Sequence, residues 1–62
     1  MKIREIIGLL KKDGWEQVAQ KGSHRQFKHP TKKGRVTVPD HGRNIDLPIG
    51  TESSILKQAG LK

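Results

Sequence analysis

Ile3, Ile6, Ile7 and Leu10 recur at the i, i+3, i+4, i+7 spacing of a single helix face, with Arg4, Glu5, Lys11 and Lys12 mostly elsewhere. The pattern predicts a helix that stops at Gly14, a residue type that tolerates the left-handed position beyond a helix end. Trp15 is then placed to pack back on Leu10. The same ending recurs late in the chain, where Leu56-Lys57-Gln58-Ala59-Gly60-Leu61 parallels Leu10-Lys11-Lys12-Asp13-Gly14-Trp15. In both, an apolar residue, a glycine and a second apolar residue have the spacing of a Schellman cap. This is shared capping chemistry, not an internal repeat. The second helix is expected to begin near Thr51 as N-cap, with Glu52 in its first turn, and to bury Ile55, Leu56 and Ala59.

Between the helices the period falls to two. Trp15 to Lys21 and His24 to His29 flank Gly22-Ser23, a two-residue hairpin signal. With that turn, Lys21 faces His24, Gln20 faces Arg25, Ala19 faces Gln26 and Val18 faces Phe27. One face would then carry Val18 and Phe27. The other would carry Gln17, Ala19, Lys21, His24, Gln26 and Lys28. A third strand is expected over 35–38, with Val36 and Val38 inward and Arg35 and Thr37 outward. Pro30 to Gly34 forms its entry loop. Asp40 to Asn44 reads as a polar turn, and the stretch from Ile45 to Gly50, broken by Pro48, leads into the second helix. The fold class is α+β in the order α-β-β-β-α. Both helices should cover one face of a three-stranded antiparallel sheet, leaving a polar, cationic face open with His24 on it.

Composition narrows this picture. Sixty-two residues make one domain, 1–62, with an apolar fraction of 31% and a small core. A partner or a dimer could supplement it, so the free chain is expected as a monomer or weak dimer. Cysteine is absent, which excludes disulfide staples and thiolate metal sites and fits a reducing compartment. Ile6-Ile7-Gly8-Leu9-Leu10 is too short for a spanning helix or a secretory core, so a cytoplasmic protein without membrane attachment is expected. The formal charge is +7. Such an excess attracts polyanions, nucleic acid among them.

The charge is concentrated. From Ala19 to Pro39 there is no acidic residue, while Lys21, Arg25, Lys28, Lys32, Lys33 and Arg35 share the stretch with His24 and His29. A solvated, charged hairpin would explain this in part, but its one-sidedness favours anion binding. Lys21, Arg25, Lys28 and Arg35 are the candidate RNA-binding residues. Stacked aromatics are missing from the open face, which argues against a single-strand stacking platform.

A histidine in a small basic protein is usually a solvated surface residue. His29, before Pro30, fits that reading. His41, before Gly42, mostly does too, although it could approach a substrate. His24 departs from it: a turn fixes it, it points to the open face, and Lys21 and Lys28 flank it where they could hold phosphate. RNA cleavage needs a base for the 2′-OH, an acid for the leaving oxygen and cations for the crowded phosphate. Histidine suits either proton transfer, and Lys and Arg suit the last role. Only His24 fills a proton-transfer role, and the second group stays unassigned. No metal-ligand spacing, Walker pattern, GxSxG or paired carboxylates appear, so no metal or cofactor is expected. Glu5, Asp13 and Glu52 are better explained by helix surfaces and ends.

These pieces together resemble the HicA toxins, small messenger-RNA interferases of HicA–HicB toxin–antitoxin pairs. The resemblance runs through Leu10 to Trp15, Lys21-Gly22-Ser23-His24-Arg25-Gln26-Phe27, His29-Pro30, Val36-Thr37-Val38-Pro39, Leu47-Pro48-Ile49-Gly50-Thr51 and Ser54 to Leu61. It implies a fold like a double-stranded-RNA-binding domain and a metal-independent endoribonuclease toxin acting on mRNA. It also implies His24 as the catalytic residue, Gly22 and Ser23 shaping the turn before it, and an acidic-surfaced HicB-like antitoxin as partner. Lys2 departs from the pattern, standing where a capping Ser or Thr is often seen. The alternatives are a non-catalytic RNA-binding module of double-stranded-RNA-binding type and a ribosome-associated structural protein.

Overall fold

The first helix, α1 (Ile3–Lys12), buries Ile3, Ile6, Ile7 and Leu10, the face that the apolar spacing predicts. In the computed structural model, which describes residues 1–42 and 44–62, α1 is followed by β1 (Glu16–Lys21), β2 (His24–Lys28), β3 (Arg35–Pro39) and α2 (Ile49–Gln58). Lys2 has no acceptor with which to cap α1. Instead the Glu5 carboxylate reaches back and accepts from the Lys2 backbone N–H at 2.8 Å, half of a capping box. Both helices end alike. The Trp15 N–H donates to the Leu10 carbonyl at 2.9 Å and Leu61 to Leu56 at 2.8 Å, with Gly14 to Lys11 and Gly60 to Lys57 each at 3.1 Å. These are the paired bonds of the Schellman motif.

The three strands form one antiparallel sheet in the order β1-β2-β3. Phe27, Val36 and Val38 are fully buried on its inner face, together with Trp15, Leu47, the apolar stripe of α1, and Ile55 and Ala59 of α2. Leu56 packs partly buried against this cluster. The architecture is therefore the α-β-β-β-α arrangement that the periodicity implies.

Three local expectations are corrected. Val18 does not face Phe27. The register runs Lys21↔His24, Gln20↔Arg25 and Ala19↔Gln26 as anticipated, then shifts so that Gln17 opposes Phe27 and Glu16 opposes Lys28. A β-bulge absorbs one extra residue, Val18 is left 51% exposed, and Gln17 moves from the open face to the helix side. Trp15 supplies the apolar bulk that Val18 does not. Next, α2 starts two residues before Thr51, with Pro48 as its N-cap. Pro48 is extended at φ −56 and ψ 144, and its carbonyl already accepts from the Glu52 N–H at 2.9 Å, so the chain enters the helix there. Finally, His29 is a structural residue and not a solvated one, because both of its ring nitrogens are bonded within the fold. Of the polar turn at Asp40–Asn44, Arg43 lies outside the described residues.

Candidate functional site

The turn is built first. Gly22 has φ 59 and Ser23 a negative φ, which is the pattern of a type II′ hairpin turn. This tight turn sets Lys21 directly across from His24. His24 opens β2 and is also the cross-strand partner of Pro39 on β3. Because Phe27, Val36 and Val38 point inward, alternation sends His24, Gln26 and Lys28 of β2 outward, with Arg35 and Thr37 of β3 and Ala19 and Lys21 of β1. His24 is exposed, and among the described residues its ring takes no hydrogen bond.

The open face thus gathers His24, Lys21, Lys28 and Arg35. Lys21 is adjacent to His24. Lys28 lies four residues along β2, about 13 Å away at ~3.3 Å per residue, with Arg35 as its cross-strand partner. Arg35 Nη1 donates to Gln26 Oε1 at 2.8 Å, which holds its guanidinium over the sheet. Glu16, opposite Lys28, is the carboxylate on this face of β1.

Arg25 does not join them. It follows His24 and so projects to the helix side, where Nε lies 2.5 Å from Asp40 Oδ2 and Nη1 donates to Gln17 Oε1 at 3.1 Å. The Asp40 side chain is only 6% exposed. Asp40 also receives the Gly42 N–H at 3.0 Å on Oδ1, while its own N–H donates to the Ser23 carbonyl at 2.6 Å. Asp40 therefore ties the end of β3 to the Gly22-Ser23 turn. In the sequence this stretch reads only as a polar turn, since the partners are distant in the chain.

His29 is committed to the fold. Its Nε2–H donates to the Asp13 carbonyl at 2.7 Å, and Nδ1 accepts from the backbone N–H groups of Thr31 and Lys32, both at 3.1 Å. That pattern sets one tautomer. The ring meets Trp15 edge-on, with centroids 5.3 Å apart. Lys32, too, turns away from solvent service: Nζ lies 2.5 Å from Asp13 Oδ2 and donates to the Ala59 carbonyl at 3.0 Å. The Asp13 carboxyl is held below its usual range, chiefly by that Lys32 hydrogen bond, against an opposing effect of burial.

A cleft of about 360 Å³ opens between Leu9, Lys12, Asp13 and Leu61, at the C-terminal ends of both helices. None of the open-face residues lines it. Among the described residues no three His, Asp or Glu side chains gather closely enough to hold a metal ion, and no helix is long and apolar enough to cross a membrane.

The element order, the sheet covered on one side and the open cationic face define an α+β protein of the double-stranded-RNA-binding-domain-like class. A family model for the HicA toxin of bacterial toxin–antitoxin matches residues 3–61, nearly the whole chain. The chain belongs to that family, and so is the toxin of a pair whose other member is a HicB-type antitoxin. No curated protein matches the chain.

Proposed function

We propose that this toxin is a metal-independent endoribonuclease that cleaves messenger RNA in the cytoplasm, with His24 as a catalytic acid or base. The observation that carries the reading is the position of His24: exposed, on the cationic open face, directly across from Lys21. Cross-strand neighbours have Cβ atoms about 5 Å apart, so Lys21 can hold the phosphate on which an imidazole at His24 works. Gly22 and Ser23 shape the turn that sets this pair. Lys28 and Arg35 lie too far along the sheet to reach the same phosphate and would grip the flanking backbone. Arg25 supports the site from behind, through Asp40, and does not bind RNA directly.

General acid–base catalysis contributes typically ~10²–10⁴-fold. His24→Ala should therefore lose at least ~100-fold of RNA cleavage while keeping its fold and its RNA affinity. The assay is purified toxin on a defined RNA, with and without chelator, and a thermal melt for the fold. Cleavage at the wild-type rate by folded His24→Ala would remove His24 from the mechanism. Cleavage that vanishes with chelator and returns with a divalent ion would refute the metal-independent reading. RNA binding without cleavage by the wild type would leave a binding module.

A further inference from the structure

One histidine leaves half of the proton transfer unassigned. We infer that His41 is the second proton-transfer group of the His24 site, an inference that rests on the ribonuclease reading above.

The fold brings His41 to the corner where His24 stands. His24 pairs with Pro39, two residues before His41. The Asp40 N–H donates to the Ser23 carbonyl at 2.6 Å, so the chain on either side of both histidines is stitched together. Asp40 also receives Gly42 N–H at 3.0 Å and lies against Arg25 Nε at 2.5 Å, which holds the turn around His41. One cross-strand step of about 5 Å and two residues of at most about 7 Å keep the two histidine Cα atoms within roughly 12 Å. Two imidazoles that far apart can reach opposite sides of a single phosphate.

Among the described residues, the other candidate proton-transfer groups fit the role less well. Both ring nitrogens of His29 are bonded within the fold, 2.7 Å and 3.1 Å from their partners. The Asp40 carboxylate is almost fully buried against Arg25. Glu16 lies at the far end of the sheet, opposite Lys28. Lys21 offers a point charge for the phosphate, whereas shuttling a proton near neutral pH is the work of imidazole. His41 is exposed, and its ring takes no hydrogen bond among the described residues.

The step balances without a co-reactant. One histidine takes the proton of the 2′-OH as that oxygen attacks phosphorus. The bond from phosphorus to the 5′-oxygen breaks, and the other histidine gives that oxygen its proton. The products are a 2′,3′-cyclic phosphate and a 5′-hydroxyl, and water exchange resets both rings.

The test compares wild type, His24→Ala and His41→Ala in single turnovers at saturating RNA, so that weaker binding does not register. Each meets an ordinary RNA and the same RNA carrying a 5′-bridging sulfur at the cleaved link. A thiolate leaves without needing a proton, so the variant that lacks the acid should recover on the sulfur substrate and the variant that lacks the base should not. We expect His41→Ala to fall at least ~100-fold on ordinary RNA, and one variant of the two to recover on the sulfur substrate. His41→Gln, which keeps a polar residue in the turn, should lose as much as His41→Ala. Cleavage of ordinary RNA by His41→Ala within roughly threefold of wild type overturns the inference. So does a slowed His41→Ala when neither variant recovers, or when both do. A slow His24→Ala beside an unaffected His41→Ala overturns this inference alone, whereas a wild type that cleaves no RNA overturns the ribonuclease reading with it.

Discussion

His29 serves the fold at the point where α1 ends. Its ring bridges the Asp13 carbonyl and the start of the β2–β3 loop, and it packs edge-on against Trp15. It also fills the space over Gly14, where an added Cβ would sit 2.8 Å from Nε2. Gly14 has φ 103, a backbone region that L side chains rarely adopt. Gly22 has φ 59 but open space around it. Placing a side chain in the left-handed region costs about 1–2 kcal/mol. Gly22→Ala should lose about that much, and Gly14→Ala more, because His29 must also move. In a domain of this size each kcal/mol shifts Tm by roughly 4–8 °C, so thermal melts resolve the difference. Equal losses would mean that His29 yields without cost. Gly14 as a helix stop was legible from its place after the apolar stripe. The histidine above it was not, because a neighbour 15 residues on leaves no local pattern.

At the scale of elements, Lys32 joins the ends of both helices. One ammonium contacts the Asp13 side chain at the end of α1 and the Ala59 carbonyl at the end of α2. A cation is favourable at either C-terminus, where the helix dipole is negative. The link also sets an acid response. The Asp13 carboxyl titrates lower in the folded protein than unfolded, chiefly because Lys32 donates to it. Its contribution to stability is therefore present above the unfolded carboxylate value near ~3.9 and is lost as pH falls through the lower folded value. Lys32→Met should reduce stability at neutral pH and flatten this acid limb, measured as Tm against pH from about 6 down to about 2. A Lys32→Met protein with the wild-type slope below pH ~4 would assign the limb to other carboxylates. The helices and caps were readable because period and cap spacing are local. The bulge at Gln17/Val18 was not. An edge strand admits an extra residue when its register is set from the far side, here by Trp15 entering the core, and Val18 is as apolar as a buried residue would be.

For the molecule as a whole, a charge of +7 on 62 residues is distributed by the fold into different tasks. Arg25 and Lys32 are held in ion pairs with Asp40 and Asp13. Lys21, Lys28 and Arg35 stay on the open face. An acidic antitoxin gains association rate from such a face, and RNA phosphates would use the same cations. Neutralising Lys21, Lys28 and Arg35 together should therefore weaken RNA and antitoxin alike. The log–log salt slope for RNA should also become shallower, by about 0.7 for each single-strand phosphate that the variant no longer neutralises. Titrating antitoxin into RNA-bound His24→Ala toxin checks the overlap. A ternary complex with undiminished RNA affinity would put the antitoxin on another surface, and an unchanged slope in the triple variant would remove RNA from this one.

The sequence by itself determined the α-β-β-β-α order, both Schellman caps, the Gly22-Ser23 turn and the outward direction of His24. All of these follow from periods and spacings within a few residues. Only the tertiary structure decided which cations are free and which histidines are spent. Arg25 is consumed because Asp40 returns to it from the end of β3, and Lys32 because two helix ends converge on it. His29 is consumed because the end of α1 lies beneath it, and His41 follows two residues after Pro39, the cross-strand partner of His24, because β3 pairs with β2 to its last residue. Each outcome depends on partners 15 or more residues apart in the chain, brought together by the burial of one small core.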